Sequence, residues 1–229
     1  MVLEVQLSPD ISELPKLSEF VKTEPVSIRA VSPEREGDIA TTQQWDQESA
    51  GALNPFESTS REPMSEKELL RWMTGDERHM LRGVFEGTKD VGFVYAYDDL
   101  DGRKRLRYLQ SHGLVSSDAA HRELNWWTDR ATGEQAESGI AQTLLEVFEK
   151  HHADQLQKKT KHPLVILLYV ENDDLSVDGA LAGKLGFKEM KRQFSYDNPG
   201  VQGTDTVYML TEERFAQALT SRIARVPNP

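Results

Sequence analysis

The sequence contains no cysteine and no apolar run long enough to cross a membrane. Its longest apolar stretch, PLVILLYV at 163–170, falls far short of the roughly 18 residues that a transmembrane helix needs. The lack of cysteine excludes disulfides, thiolate metal sites and a cysteine nucleophile. The histidines show no metal-ligand spacing, so we predict no metal. Because the first residues lack a basic segment followed by an apolar block, we expect no secretory signal and a cytoplasmic protein.

Basic residues are scarce relative to acidic ones. The 229 residues include 27 Lys and Arg against 38 Asp and Glu, a formal net charge of −11. An acidic field repels nucleic acid and anionic membrane surfaces, so we expect neither as a partner, and it favours a cationic ligand. Solubility alone is the plainer explanation of such a charge.

The apolar pattern divides the chain into three parts. Residues 1–25 mix Ser, Pro and Glu with short apolar triplets, which predicts an N-terminal extension. Residues 26–215 alternate strand-like and helix-like segments and predict one α/β domain, a size that suits a single core. Residues 216–229 predict a C-terminal helix or tail.

Within the domain, VSIRAV at 26–31 predicts a strand because apolar residues alternate. A helix is expected from Ser32 and Pro33, and a capping-box pattern at Ser65 and Glu68 predicts a second. Two antiparallel strands, a third strand in ELNWWTD and a helix from SGIA follow. A buried strand in PLVILLYVEND, a short helix in DGALAGKLGF and two final strands complete the order.

Three segments carry a resemblance to a known family through their order: ELNWWTD with SGIAQTLLEVF, then VILLYVEND, then ALAGKLGFKE. In these segments the chain resembles the GNAT superfamily of N-acetyltransferases, over about 26–215. The resemblance implies an α/β (α+β) fold with a mixed, mostly antiparallel central sheet, two splayed central strands and flanking helices. It also implies acetyl-CoA as cosubstrate and direct transfer of the acetyl group to a primary amine in a ternary complex.

The phosphate loop of that family reads Q/R-x-x-G-x-G/A. Aligned on GIAQTLL, the chain matches both small positions, and the resemblance assigns the pyrophosphate to the segment of Ser138, Gly139, Ile140 and Ala141. Ala136 stands where the family has Gln or Arg, and Glu137 adds a like charge. The alternative is an ordinary helix N-terminus, in which the acidic residues merely complement the helix dipole.

Further cofactor contacts are implied by the same resemblance. Trp127 and Thr128 end the strand before the loop, Asn172 follows the buried strand, and Lys184 lies near the nucleotide end. Asn172 as a turn residue and Lys184 as a solvated charge are the plainer interpretations. Trp126 and Trp127 must face opposite sides of the strand, and the sequence does not tell which of them lines the groove.

Glu123 is the predicted catalytic base, because it opens the strand from which family members supply a glutamate; Asp129 is the weaker alternative. Ala182 departs from the family, which has a tyrosine acid at that place. The alternative function is therefore a non-catalytic acyl-CoA-binding, regulatory or protein-interaction module on a divergent fold. The favoured acceptor is a small cationic amine, with a protein amine as the other candidate, and a homodimer stays open.

Overall fold

A computed structural model describes residues 26–48, 65–74, 79–97, 109–113, 115–127, 131–171, 178–195 and 204–223. Seven strands lie in these ranges: β1 Ser27–Ala30, β2 His79–Glu86, β3 Lys89–Tyr97, β4 Ala120–Trp127, β5 Leu164–Glu171, β6 Lys188–Ser195 and β7 Thr204–Thr211. The helices that these ranges contain in full are α1 Asp38–Glu48, α2 Glu66–Thr74, α3 Gly133–Lys158, α4 Asp178–Lys184 and α5 Glu212–Ile223, and residues 109–111 are also helical.

The strands form one sheet in the order β1-β2-β3-β4-β5-β7-β6. Neighbouring strands run antiparallel except for the parallel pair β4 and β5, which α3 connects. The predicted fold class, a mixed and mostly antiparallel sheet flanked by helices, is confirmed. Among the described residues, no helix combines the length and the apolarity that crossing a bilayer requires.

The helix predicted from Ser32 begins later, at Asp38, because 33–37 form turns. The buried Asp38 carboxylate accepts hydrogen bonds from both terminal nitrogens of Arg29 at 2.7 Å and from the Ser32 amide at 2.9 Å. Burial raises the pKa of Asp38, but the Arg29 guanidinium and the Ser32 amide outweigh it and hold the pKa below its ordinary value. Ser32 therefore belongs to the contact between β1 and the start of α1, and it is not the N-cap of a helix.

The main core lies between the sheet and α3. Ile140, Leu144 and Phe148 of α3 are fully buried there, as the predicted i, i+4, i+8 spacing requires. Phe215 of α5 stacks on Phe148 with ring centroids 5.6 Å apart. The predicted boundary between 215 and 216 therefore falls inside α5, a helix that contributes to this core.

Two smaller clusters cover the opposite face of the sheet. One is aromatic and joins Trp45 of α1 to Phe93 and Trp127 of the sheet. The other packs Leu109 and Val115 against strands β5 and β7. Because side chains alternate along a strand, each central strand contributes one set of residues to the α3 face and the other set to these clusters.

The two central strands part halfway along their length. Strands β4 and β5 pair from Ala120 opposite Leu164 to Glu123 opposite Leu167. Beyond that rung, the ladders described for β4 run to β3, and those described for β5 run to β7. The inner edges of β4 and β5 then border a wedge that opens toward their carboxyl ends, as the predicted splay requires.

Gly139 of α3 lies where the helix approaches the sheet closely. A Cβ atom at 139 would lie 2.6 Å from Val84 Cγ1, whereas one at Gly183 of α4 would meet nothing within 4 Å. We expect Gly139→Ala to lower the free energy of unfolding by about 1–2 kcal/mol, since overpacking exceeds the gain in helix propensity. Gly183→Ala, the matched control, should raise it by about 0.5–1 kcal/mol. Urea unfolding measures both, and equal stabilities would contradict the close approach.

Candidate functional site

Glu123 lies at the point where the two central strands part. It forms the last rung of the parallel ladder, opposite Leu167, and its side chain is buried with 3% exposure. The prediction that Glu123 opens its strand is wrong, because β4 begins at Ala120 and Glu123 lies inside it. The result is a carboxyl group at the apex of the wedge.

A chain of hydrogen bonds holds the Glu123 carboxyl group. Tyr97 Oη donates to Glu123 Oε2 at 2.9 Å, and Asn125 Nδ2 donates to Tyr97 Oη at 3.2 Å. Tyr97 and Glu123 lie opposite each other in the β3–β4 ladder. Tyr95 stacks on Tyr97 with ring centroids 4.9 Å apart and an interplanar angle of 18°. The carboxyl group is thus held by Tyr97, whose ring is in turn supported by Tyr95.

This group of side chains faces away from α3. Ala96 and Leu124, which alternate with Tyr97, Glu123 and Asn125 along the strands, belong to the core beneath α3. The carboxyl group and the tyrosines therefore lie on the side of the sheet that α1 and α2 cover. The two faces of the wedge are chemically different, with a hydrogen-bonded acid on one and the α3 core on the other.

Tyr95, Tyr97 and Asn125 are site residues that sequence reasoning missed. The alternation in VYAYDD and in ELNWW places Tyr95 with Tyr97, and Glu123 with Asn125, on one face each. The sequence alone therefore shows which residues of each segment share a face. Bringing the two pairs together requires the register between β3 and β4, which does not follow from either segment alone.

The adjacent tryptophans face opposite sides, as predicted. Trp126 packs partly against the main core, whereas Trp127 is buried in the aromatic cluster and stacks on Phe93 with centroids 6.0 Å apart. The Trp127 side chain is thus committed to packing. Its backbone, which pairs with Phe93 of β3 on one edge, borders the wedge on the other.

The segment assigned to the pyrophosphate is not a turn before a helix. Helix α3 begins at Gly133, and Thr132 is its N-cap. Thr132 Oγ1 accepts from the Gln135 amide at 3.3 Å, and Gln135 Oε1 accepts from the Thr132 amide at 2.9 Å. This reciprocal capping box fixes the helix start more than a turn earlier than the sequence prediction placed it.

The amides of the assigned residues consequently lie inside α3, where each bonds to a carbonyl of the preceding turn. Ser138 is buried, and its hydroxyl oxygen accepts from Gln142 Nε2 at 3.1 Å. The other three residues, Gly139, Ile140 and Ala141, are buried against the sheet. The amides without an acceptor inside the helix belong to Gly133 and Glu134.

Of the remaining predicted site residues, one lies in the described part of the chain and three lie outside it. Lys184 is exposed at the end of α4, and its Nζ lies 3.7 Å from Glu137 Oε2, which links α4 to α3. Thr128, Asn172 and Asp129 lie outside the described residues. In the part of the chain that the structure describes, no group of three or more His, Asp or Glu side chains is placed to hold a metal ion.

The wedge suits a ligand with amide groups along its length. Strand edges 124–127 of β4 and 168–171 of β5 face each other beyond the last shared rung, so their backbone groups are able to pair with an inserted amide chain. The start of α3 suits a phosphate less well. Its two available amides come with the carboxylates of Glu134 and Glu137, which repel an anion.

The same fold occurs in acetyltransferases of known structure. A GNAT-family acetyltransferase from Bacillus anthracis matches with a TM-score of 0.52 and 13% identity, over 83% of this chain and 96% of that one. The chain has the GNAT acetyltransferase fold. RimJ from Mycobacterium smegmatis, in complex with CoA-disulfide, matches with a TM-score of 0.55 and 17% identity, over 87% of this chain and 88% of that one. No family model and no curated protein sequence matches the chain.

Within this GNAT fold, the early start of α3 gives a direct prediction. We expect Thr132→Ala to lower the free energy of unfolding by about 1 kcal/mol, because the capping box is lost. Thr220→Ala is the matched control, since Thr220 is exposed in α5 and bonds to the Ala216 carbonyl. Thermal unfolding compares the two variants, and hydrogen exchange should show slow amides at 138–141. Fast exchange at these four amides would support the predicted loop instead of the helix.

Proposed function

We propose that the chain is an acyl-CoA-dependent N-acetyltransferase, which moves an acetyl group from acetyl-CoA to a primary amine in a ternary complex. The observation that carries this proposal is the wedge with the buried, hydrogen-bonded Glu123 at its apex. The presence of CoA-disulfide in RimJ, which shares the fold, supports acetyl-CoA as the donor. A cytoplasmic location and a homodimer stay predictions.

Binding of the donor would rest on the strand edges. Acetyl-CoA carries a pantetheine arm with two amides, which match the backbone groups of 124–127 and 168–171. The adenosine and phosphate end would lie toward α3 and α4, where Lys184 is the nearest predicted cation. Because Lys184 already contacts Glu137, we assign most of the binding free energy to the pantetheine arm.

Glu123 would serve as the general base. An amine is protonated near neutral pH and becomes nucleophilic after a proton is removed, which a buried and oriented carboxylate does well. Tyr97 is a positioning residue, because its hydroxyl holds one carboxylate oxygen of Glu123.

The surroundings of Glu123 favour a cationic acceptor. Tyr97 contacts the carboxyl group and Tyr95 stacks on Tyr97, and aromatic faces attract an ammonium group as a carboxylate does. The net charge of −11 adds a long-range attraction of the same sign. We therefore propose a small cationic amine as the acceptor, with a protein amine as the second candidate.

One observation favours a second function, a non-catalytic acyl-CoA-binding or protein-interaction module. Helix α3 runs without a break through 133–141, so the segment assigned to the pyrophosphate has no free amides. Ala182, which is buried in the core, adds to this departure because it replaces the tyrosine of the resembled family. This function predicts either binding without turnover or no binding at all.

Calorimetric titration with acetyl-CoA tests donor binding. If phosphates approach the start of α3, Glu134→Gln should tighten binding about fivefold, because removal of one like charge there is worth about 1 kcal/mol. Glu149→Gln is the matched control: it is exposed on the same helix, 15 residues further on and thus about 22 Å away. Equal affinities would move the phosphates elsewhere, and no binding at millimolar acetyl-CoA would contradict the proposed function.

The catalytic assignment is tested with Glu123→Gln and Tyr97→Phe in an acetyl-transfer assay on a panel of amines. Glu123→Gln should lower kcat about 100-fold and remove the acid limb of the pH–rate profile, because the base is gone. Tyr97→Phe removes a donor to the charged carboxylate, so the acid limb should move to higher pH while the plateau changes little.

The Tyr97 result separates positioning from stability. Loss of fold would lower the rate at every pH, whereas loss of the hydrogen bond moves the limb. A Glu123→Gln variant with the parent profile would remove Glu123 from the role of base, and acetyl-CoA affinity measured on the same variant shows whether binding is intact.

A further inference from the structure

Tyr208 of β7 is a buried tyrosine that lies against the short helix α4. Its side chain belongs to the main core on the α3 face of the sheet. A Cβ atom at Gly179 would lie 2.9 Å from Tyr208 Oη, so the hydroxyl group rests on the backbone of the first turn of α4. The glycine at 179 provides the space that the hydroxyl group occupies.

The same face of α4 includes Ala182. Residues 179 and 182 are three apart in the helix and therefore neighbours on one face. Helical side chains lean toward the N-terminus, so a long side chain at 182 would cover the surface over 179. Tyr208 fills that place from the neighbouring strand. The large Tyr208 side chain is therefore complementary in size to the small residues Gly179 and Ala182.

Tyr208 also stands at the level of the apex of the wedge. It lies opposite Leu168 of β5, the residue that follows the last rung between Glu123 and Leu167. Adjacent strands are about 5 Å apart, so Tyr208 is one strand away from the inner edge of β5. It faces α3, whereas Glu123 faces the opposite side of the sheet.

We propose that Tyr208 is the general acid of the transfer reaction, a role that rests on the proposed function. A thioester releases a thiolate, and a donor that protonates it lowers the barrier to cleavage. A phenol with an ordinary pKa near 10 is protonated at neutral pH and available as that donor. Tyr208 delivers its proton from the α3 side while Glu123 works on the acceptor side.

The step balances without a further reactant. The ammonium group first loses one proton, which passes through Glu123 to solvent. The neutral amine nitrogen then forms the new C–N bond, and Glu123 takes the second proton from it. The C–S bond breaks with its electron pair on sulfur, and Tyr208 Oη gives its proton to that sulfur. Glu123 is left protonated and Tyr208 as a phenolate, and solvent returns the proton from the first to the second. The products are the amide and the free thiol.

The test is Tyr208→Phe, which removes the hydroxyl group and keeps the ring. We expect kcat to fall about 100-fold, the KM for acetyl-CoA to change less than about threefold, and the alkaline limb of the pH–kcat profile to change. Thr143→Val is the matched control, because it also removes one buried hydroxyl group, which donates to the Gly139 carbonyl inside α3 and has no part in the proposed site. It should keep kcat within about twofold of the parent.

A second measurement is independent of turnover. A donor beside the sulfur stabilises bound thiolate, so the affinity for CoA relative to desulfo-CoA should rise between pH 7 and pH 9 in the parent. Tyr208→Phe should abolish that rise, whereas Thr143→Val should retain it. An identical rise in the parent and in Tyr208→Phe would overturn the contact between Tyr208 and the sulfur.

The outcomes separate this inference from the proposed function. Acetyl transfer that Tyr208→Phe leaves unchanged would overturn the role of Tyr208 and leave N-acetyltransfer standing. No transfer by the parent to any amine would overturn both. A double variant adds a positive test, in which Tyr208→Ala is combined with Ala182→Tyr. It should recover part of the rate that Tyr208→Ala alone loses, because the hydroxyl group returns to the same place. No recovery in a folded double variant would contradict the geometric argument.

Discussion

The parting of β4 and β5 after the rung between Glu123 and Leu167 is the constraint on which the rest of the site depends. Each strand keeps its outer partner: β4 pairs with β3, and β5 pairs with β7 as far as Glu171. The sheet therefore stays continuous on both sides while backbone groups face each other across the gap. Backbone groups along a strand edge are able to pair with the amides of a ligand, so an amide-bearing ligand suits this opening.

Contacts that each strand makes away from the gap help to keep the two strands apart. The end of β4 is tied to α1 through the aromatic cluster, in which Trp127 stacks on Phe93 and Phe93 packs against Trp45. The end of β5 is tied instead to β7 by its ladder. Closing the gap would have to disturb one of these arrangements, and both therefore favour the open apex at which Glu123 lies.

The sequence predicted the element order well, because apolar periodicity is local information. It misplaced the start of α3 because Gly139 has two physical explanations. A glycine beside Ser138 suggests a loop, but this one is required by the approach of Val84 to the helix. The capping box of Thr132 and Gln135 was present in the sequence and indicates the true start. A small residue is weak evidence for a turn where a helix crosses a sheet closely.

The pairing and register of the strands could not be predicted in the same way. Glu123 was a candidate from its position alone, but its contact with Tyr97 depends on the register of β3 against β4. The place of Tyr208 depends likewise on β7 lying next to β5, although β6 precedes it in the chain. Register and strand order follow from the packing of the whole sheet, which no single segment determines.

The two ends of the wedge differ in how they would recognise a ligand. At the start of α3, Glu134 and Glu137 oppose an anion, and the contact between Glu137 and the exposed Lys184 contributes little in water. Along the strand edges, backbone hydrogen bonds are independent of charge. Recognition through these edges depends on the fit of an amide chain and only weakly on salt. Under the proposed function, a chain with a net charge of −11 would hold its polyanionic donor mainly through these edges, while its long-range field would attract a cationic acceptor.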